Sequence, residues 1–263
     1  MAPHLLVERD GPIVVLTLNR PEARNAFDAE MLVRLADAWD LIDGDDGVRC
    51  AVLTGAGGHF CAGTDLKLMA SGYADDEWRA RLTGEKDLHW KAFLRSYRLR
   101  KPLVSAVEGY ALAGGLEILQ ATDVRVVAAS AKLGVPEARW GLFPLGGSTV
   151  RLRRQIPHTL AMELLLTGRM MSAEEAQRVG LVGRVVPDGQ ALTEARRIAG
   201  EIAANGPLAV QAIKRSVLET DGMPEEQALA RELEIGWPIL STDDAKEGPR
   251  AFAEKRRPEF KGK

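Results

Sequence analysis

The residues whose types and spacing best suit chemistry lie in the segment Glu108–Glu117, which contains the glycine pair Gly114 and Gly115. The segment follows the apolar run Leu103–Val107 and precedes the helical-looking stretch Leu116–Ala121. Backbone N–H groups at a helix start lack partners within the helix and carry partial positive charge, and glycine lets a ligand approach them closely. The segment could therefore form an oxyanion hole or a phosphate cradle. The alternative is a tight turn that only packs a helix on a sheet.

A second glycine-rich segment, Thr54–Asp65, follows the apolar run Ala51–Thr54, and Asp65 could begin a helix. If each of the two turns gave one N–H to the same oxygen, the two preorganised donors would stabilise an oxyanion. Neither segment contains a complete phosphate-binding pattern, G-x-x-x-x-G-K-[ST] or G-x-G-x-x-G. On spacing alone, two unrelated loops are the simpler interpretation.

Two carboxylates accompany these turns. Glu117 comes directly after the glycine pair, and Glu137 lies in the segment Gly134–Ala138, where Pro136 favours a rigid loop. Paired carboxylates can divide acid and base roles when their surroundings separate their pKa values. The ordinary alternative is that each is a solvated surface charge.

Such groups need a framework to hold them, and the hydrophobic pattern predicts one. Four short runs rich in β-branched and other apolar residues predict strands: Ile13–Leu18, Ala51–Thr54, Leu103–Val107 and Val124–Ala128. Apolar residues at helical spacing predict a helix over Asp28–Asp43, with Asp28 as its N-cap. Strands that alternate with helices predict an α/β core.

The second half of the chain is predominantly helical in pattern. Ser172 and Glu175 form a capping-box pattern, and the run 205–207 (Asn-Gly-Pro) predicts the start of another helix. We therefore predict two parts, an α/β core over residues 1–190 that holds the active site and a helical C-terminal region over residues 191–263.

Composition excludes several classes of function. The 263 residues carry a formal net charge of −2, which gives no electrostatic footprint for nucleic acid. Cys50 and Cys61 are too few for a disulfide framework, so reduced thiols and no metal site are expected. No stretch approaches the roughly 18 unbroken apolar residues of a membrane-spanning helix. The N-terminal residues also lack the pattern of a secretory signal, so we expect a cytoplasmic protein that binds no membrane.

Six segments closely resemble the enoyl-CoA hydratase (crotonase) family. They are Thr17–Ala26, His59–Lys67, Gly109–Glu117, Val135–Glu137, Ala203–Lys214 and Ala251–Phe260. They occur in the order found in the family and span nearly the whole chain. The resemblance implies a crotonase-like core of repeated ββα units, with a helical C-terminal region that drives assembly of a homotrimer or of a homohexamer made of two trimers.

The resemblance also implies how the site works. The backbone N–H groups of Thr64 and Gly114 would form an oxyanion hole for the thioester carbonyl. Glu117 would orient and deprotonate the water that adds at C3, and Glu137 would supply the proton at C2. This division fits the chemistry, because an enolate-like transition state needs donors on its oxygen and water addition needs a base and an acid.

Coenzyme A would arrive as part of an acyl-CoA thioester substrate, so no separate cofactor is implied. By the resemblance it would lie across Arg24 and the loop of residues 62–67, which includes Ala62, Asp65, Leu66 and Lys67. Phe252 and Lys255 in the tail resemble the family's C-terminal contribution to this site, which a neighbouring subunit often delivers.

The chain departs from the commonest family pattern in places. Thr64 stands where alanine is frequent, and Leu116 replaces a small residue or cysteine. The run Arg139–Ser148 also differs from the usual pattern, and its side chains Trp140, Phe143 and Leu145 could reshape the acyl pocket. These departures bear on the substrate more than on the class of reaction.

The predicted function is an enoyl-CoA hydratase that adds water reversibly across a 2,3 double bond to give a 3-hydroxyacyl-CoA, in fatty acid or related acyl-CoA degradation. The alternatives are an acyl-CoA double-bond isomerase or a specialised dehydratase of the same family. A relative that only binds acyl-CoA or RNA is a further alternative. The pair Glu117 and Glu137 favours the hydratase. Acyl chain length stays open, from ordinary fatty acids to a bulkier group such as a sterol side chain.

Overall fold

Six strands form the central sheet of the computed structural model, which describes residues 2–72 and 76–263. The chain contains the strands β1 (Leu5–Asp10), β2 (Ile13–Leu18), β3 (Cys50–Gly55), β4 (Leu103–Val107), β5 (Tyr110–Leu112), β6 (Val124–Ala128), β7 (Lys132–Gly134), β8 (Met170–Ser172) and β9 (Arg184–Val186). The central sheet has the order β1-β2-β3-β4-β6-β9, and β5, β7 and β8 form a smaller second sheet. All neighbours in the central sheet run parallel except β1 and β2.

The helices are α1 (Ala29–Gly44), α2 (Leu66–Ser71), α3 (Glu77–Gly84), α4 (Leu88–Ala92), α5 (Gly114–Leu119), α6 (Ser148–Gln155), α7 (His158–Thr167), α8 (Ala173–Arg178), α9 (Ala191–Ala203), α10 (Pro207–Thr220), α11 (Glu225–Gly236) and α12 (Asp243–Ala253). Short 3-10 helices span Pro21–Ala23, Glu137–Trp140 and Trp237–Ser241. The chain thus repeats a strand-strand-helix order in β1-β2-α1 and β4-β5-α5, and again in β6 and β7 followed by the 3-10 helix and α6. The predicted α/β class is confirmed.

The four strands predicted from apolar runs are confirmed as β2, β3, β4 and β6, with β3 one residue longer at each end than predicted. The predicted helix is α1, and the Asp28 carboxylate caps it by accepting a hydrogen bond from Met31 N at 2.9 Å. Ser172 caps α8 in the same way, accepting from Glu175 N at 3.1 Å. Local sequence signals therefore located these elements correctly.

The central sheet has two buried faces. Because side chains alternate between these faces along each strand, one strand contributes to both cores. On β2, Val14 and Leu16 belong to the larger core that α1 covers, whereas Ile13 and Val15 face a second core. Helix α9 closes the second core with alanine side chains, including Ala195. A division of the chain near residue 190 remains a prediction; α9, which follows that position, packs against the sheet.

The C-terminal helices leave a run of large apolar side chains exposed. These are Ile213, Val217 and Leu218 on α10, Leu229 and Leu233 on α11, and Trp237 and Leu240 in the 3-10 helix that follows. Among the described residues, no helix combines the length and the hydropathy needed to cross a membrane.

The second sheet is held close to the loop after β3 through Cys61. This residue forms a parallel bridge with Ala111, in which Cys61 N donates to Tyr110 O at 2.8 Å and Leu112 N donates to Cys61 O at 2.9 Å. Gly115 makes this approach possible, because a Cβ atom at position 115 would lie 2.4 Å from Cys61 O.

We therefore expect Gly115→Ala to lower the free energy of unfolding by about 1–3 kcal/mol, as forced overpacking does. Urea denaturation would measure the change. Gly200→Ala is the matched control, because position 200 lies within α9 and nothing lies within 4 Å of a Cβ atom there. We expect this control to gain about 0.5–1 kcal/mol, as alanine does over glycine within a helix. Equal stability of the two variants would contradict the close approach.

Candidate active site

A cavity of about 780 Å³ opens beside the second sheet, and both predicted catalytic glutamates line it. Its walls are mostly apolar. Besides the two glutamates, they include Ala62, Thr64, Leu66, Met69, His89, Trp90, Phe93, Leu112, Ala113, Gly114, Pro136, Arg139, Trp140, Leu142, Phe143, Leu145, Gly146 and Met170. Thr64 and Gly114 therefore share one cavity with Glu117 and Glu137.

Parallel pairing of short segments brings these groups together. Cys61 pairs in parallel with Ala111 of β5, and β5 pairs in parallel with β7. A further hydrogen bond, from Ala113 N to Gly134 O at 2.9 Å, continues the pairing past the end of β5. The residues that follow each segment consequently leave the sheet at the same edge. The four functional candidates are all among those residues.

The two proposed oxyanion-hole donors have backbones that leave their N–H groups available. Gly114 is the first residue of α5, so its N–H has no partner within the helix. Ala113 before it has a φ of 50°, a strained conformation for a residue with a side chain. Phe27 N donates to Gly63 O at 2.7 Å and Asp65 N donates to Phe27 O at 3.2 Å. Since N–H groups alternate in direction along extended backbone, the N–H of Thr64 faces away from Phe27.

Glu117 is held by the start of α6. Its side chain is buried on α5, and its Oε1 accepts a hydrogen bond from Ser148 N at 3.1 Å. Burial raises the pKa of Glu117, and hydrogen bonds from the backbone of Ser148, Gly146 and Gly147 oppose that rise. A Cβ atom at position 146 would lie 2.5 Å from Glu117 Oε2 and would displace the carboxylate. The carboxylate is thus fixed against the backbone of residues 146–148.

Glu137 has a different environment. It begins the 3-10 helix after β7 and is only 8% exposed. Among the described residues, its Oε2 has no hydrogen-bond partner. Burial, together with the negative charge of Glu117, raises the pKa of Glu137 to about 7. Glu137 therefore keeps a proton up to neutral pH and has an oxygen free to meet a ligand.

The predicted coenzyme A loop adjoins the same cavity. Ala62 and Leu66 line it, and Ala62 N donates to Arg24 O at 3.0 Å, which fixes Arg24 beside the loop. The guanidinium of Arg24 lies 5.3 Å from the centre of the Tyr110 ring. Lys67 is exposed in the first turn of α2.

Asp65 is already engaged within the protein. Its Oδ1 accepts from Lys67 N at 3.0 Å and from Leu68 N at 3.2 Å, so it caps α2. Its Oδ2 lies 3.2 Å from a guanidinium nitrogen of Arg20. These contacts give Asp65 a role in shaping the loop.

The two predicted tail residues lie apart from the lining of the cavity. Phe252 is on α12 and is 86% exposed, and Lys255 follows that helix in a left-handed conformation with a φ of 55°. Within one chain, the structure does not bring them to the two glutamates.

Sequence reasoning missed the contacts that hold Glu117. Ser148 belongs to the atypical run Arg139–Ser148, and the sequence predicts no contact between it and Glu117, yet its backbone N–H binds the carboxylate. The signal was the pair Gly146 and Gly147 before a helix, a pattern that typically presents free N–H groups. The wall formed by His89, Trp90 and Phe93 was also missed, because nothing in their spacing indicates that they face a cavity.

Comparisons with known proteins agree with one another. The model of the family described as enoyl-CoA hydratase/isomerase matches residues 8–263. The chain is 55% identical over 261 residues to the enoyl-CoA hydratase EchA19 of Mycobacterium tuberculosis, covering 99% of this chain and 97% of that protein. It is 38% identical to the carnitinyl-CoA dehydratase of Salmonella typhi, over the full length of both chains.

Solved structures give the same result. The crystal structure of an enoyl-CoA hydratase from M. tuberculosis superposes with a TM-score of 0.90 at 44% identity, over the full length of both chains. The enoyl-CoA hydratase from Bacillus anthracis superposes with a TM-score of 0.90 at 34% identity, covering 99% of this chain and all of the other. The predicted crotonase-like fold is confirmed.

The environment of Glu137 predicts a pH-dependent stability change in Glu137→Gln. The folded-state pKa is raised from 4.5 to about 7, so the folded protein binds more protons between these values and loses stability as the pH rises through them. Removing the charge should therefore raise the free energy of unfolding at pH 8 by on the order of 3 kcal/mol. The gain should vanish below about pH 4.5.

Unfolding of both proteins from pH 4 to 8.5 would measure this difference. Glu232→Gln is the control, because that side chain is exposed on α11. A gain of equal size at every pH would show that the charge of Glu137 is not its source.

Proposed function

The chain belongs to the enoyl-CoA hydratase/isomerase family, and we propose that it is an enoyl-CoA hydratase in which Glu117 and Glu137 handle water and proton. The enzyme adds water reversibly across the 2,3 double bond of a 2-enoyl-CoA and forms a 3-hydroxyacyl-CoA. The observation that carries the proposed mechanism is the presence of two buried carboxyl groups of different environment in one cavity with two available backbone N–H groups.

The reaction begins with polarisation of the thioester. The N–H groups of Thr64 and Gly114 bind the carbonyl oxygen, which draws electrons from the double bond and makes C3 electrophilic. Negative charge then develops on that oxygen as the enolate-like transition state forms. Donors fixed by the backbone stabilise this charge without having to reorganise.

The two glutamates carry the proton transfers. Glu117, which accepts a hydrogen bond from Ser148 N, acts as the base. It takes a proton from water as the water oxygen bonds to C3. Glu137 keeps its proton up to about pH 7 and gives it to C2, so the double bond is consumed and no net proton is lost. This assignment places the more readily protonated carboxyl group in the role of acid, as general acid–base catalysis requires.

Coenzyme A binds along the loop of residues 62–67 as part of the substrate. Exposed Arg24 and Lys67 beside this loop provide cations for its phosphates. Phe252 and Lys255 lie outside the cavity of their own chain, so their proposed contribution requires a neighbouring subunit. The exposed apolar side chains of α10 and α11 support a homotrimer or homohexamer, and a cytoplasmic location remains a prediction.

The alternatives receive less support. An isomerase needs no activated water, whereas this cavity offers a second carboxyl group beside Glu117. A dehydratase of a specialised acyl-CoA finds a parallel in the carnitinyl-CoA relative, but that similarity is well below the similarity to the hydratase.

Substituting either glutamate should remove turnover while leaving binding intact. We expect Glu117→Gln and Glu137→Gln each to lower kcat by about 10²–10⁴-fold, the usual contribution of a general acid or base. Loss of absorbance of the conjugated thioester in crotonyl-CoA and a long-chain analogue would measure turnover. Glu232→Gln should match the wild type. A wild-type protein that binds both thioesters without turnover would instead direct attention to the isomerase or to a bulkier substrate.

Because the walls of the cavity are apolar, we predict that contact with them favours the binding of long or bulky acyl groups. Phe143 lines the cavity and is 64% exposed, so a bound acyl chain can cover it. Phe143→Ala should lower kcat/KM about tenfold for a long-chain enoyl-CoA, since burying such a side chain is worth about 1.5–3 kcal/mol. Crotonyl-CoA is too short to need it and should be unaffected. Leu166→Ala is the control, because that exposed leucine lies on α7 and outside the cavity lining. Equal losses on both substrates would contradict a role in acyl binding.

A further inference from the structure

Two buried polar side chains form a hydrogen-bonded chain behind Glu117. Gln120 Nε2 donates to Ser148 Oγ at 2.8 Å, and both residues are almost completely buried. Ser148 N donates to Glu117 Oε1 at 3.1 Å, and the hydroxyl group of Ser148 also acts to lower the pKa of Glu117. The hydroxyl group of Ser148 and the side-chain amide of Gln120 take no part in the hydration steps described above.

We infer that Ser148 and Gln120 are positioning residues that hold the Glu117 carboxylate in the orientation required of a base. The inference rests on the proposed function of Glu117. It concerns the side chains of Ser148 and Gln120, in addition to the backbone contact that any residue at position 148 would make.

The direction of the hydrogen bonds carries the argument. A hydroxyl group has one proton to donate, and an amide Nε2 can only donate. Because Gln120 Nε2 donates to Ser148 Oγ, the serine proton is left free to point at the carboxylate of Glu117. Ser148 thus offers two donors to Glu117, and an O–H group that donates to a carboxylate forms one of the stronger hydrogen bonds in proteins.

The backbone of Gln120 is itself fixed by hydrogen bonds. Its backbone carbonyl accepts from Arg125 at 3.0 Å and from Gln155 Nε2 at 2.9 Å. Its side-chain Oε1 is buried and has no partner among the described residues. An unpaired buried amide oxygen is destabilising. The opposite end of the amide, Nε2, is the end that is paired, because it donates to Ser148 Oγ.

The spacing of Glu117 and Gln120 allows this series of hydrogen bonds. Glu117 and Gln120 are three residues apart and therefore neighbours on one face of the helical segment that begins with α5. The charged groups that act on Glu117 from the surrounding elements are Glu137 and Arg151. Arg151 binds the backbone oxygens of Gly146 and Leu94, so it is fixed independently of Ser148.

The test is the pH profile of Ser148→Ala. The variant keeps the backbone N–H but loses the hydroxyl donor, which stabilises the charged form of Glu117, so the pKa of that carboxyl should rise. We expect the acid limb of kcat/KM to move up by about one pH unit, and kcat at pH 7 to fall about 10–100-fold, as loss of a hydrogen bond to a charged group would produce. KM should change little. Ser148→Thr keeps the hydroxyl and should restore most of the rate.

Gln120→Leu provides a second variant that leaves Ser148 in place. It frees the serine hydroxyl to rotate, so we expect a smaller loss in kcat, about 3–10-fold, with a shift of the acid limb in the same direction. Ser105→Ala is the matched control, because Ser105 on β4 is equally buried but its hydroxyl group bonds Thr122 Oγ1 and the backbone oxygen of Val124. It should leave the pH profile unchanged.

A measurement independent of turnover separates this inference from the proposed function. The carboxyl resonance of Glu117, assigned by comparison with Glu117→Gln, can be titrated by 13C NMR in the wild type and in Ser148→Ala. A raised pKa in the variant supports the positioning chain even if the wild type lacks hydratase activity. An unchanged acid limb and an unchanged Glu117 titration in Ser148→Ala and Gln120→Leu would overturn the inference, whatever the loss of rate.

Discussion

The parallel pairing of three short segments is the constraint on which the site depends. The backbone at Cys61 pairs with β5, and β5 pairs with β7, each over three residues or fewer. Parallel neighbours end at the same edge, so the donors at Thr64 and Gly114 and the carboxyl groups of Glu117 and Glu137 must leave the sheet together. The central sheet supplies rigidity to this arrangement, because β4 leads into β5 and β6 leads into β7 with only a few residues between. Residues far apart in the chain are thereby fixed without long side chains having to reach across the cavity.

Burial of two carboxyl groups in one apolar cavity is the energetic consequence. Each group loses hydration, and each repels the other when both are charged. The protein gives the two carboxyl groups different surroundings. Backbone N–H groups at the start of α6 surround Glu117, whereas Glu137 keeps an oxygen without a partner among the described residues. Hydrogen bonds thus favour the charged form of Glu117, whereas burial and the nearby charge of Glu117 favour the neutral form of Glu137. The same asymmetry is what a base and an acid need in order to work side by side.

Sequence reasoning found the framework better than it found the site. The strands β2, β3, β4 and β6 are continuous apolar runs, because both faces of their sheet are buried, and such runs are visible in a sequence. The strands β5, β7 and β8 span three residues each, which is too short for any periodic pattern, so they were not predicted. They are nonetheless the strands that carry the site. The glutamates could be singled out by their place after glycine turns, but only the family resemblance distinguished them from ordinary surface charges.

The proposed catalytic groups and most of the cavity wall lie in different parts of the fold. The groups proposed to meet the thioester come from the edge of the second sheet, where a shift of the backbone would misplace all of them together. Most of the cavity wall comes from α4, the start of α2 and the run of residues 139–146, none of which is a strand, although Leu112 of β5 and Met170 of β8 also line it. Side chains such as Trp140 and Phe143 can therefore change in size without disturbing the pairing of β5 with β7. Gly146 is the exception within that run, because it also contacts the Glu117 carboxylate and must stay small. In the proposed function, a change of side chain within residues 139–145 would therefore alter the space for the acyl group without moving Glu117, whereas a side chain at position 146 would displace the Glu117 carboxylate.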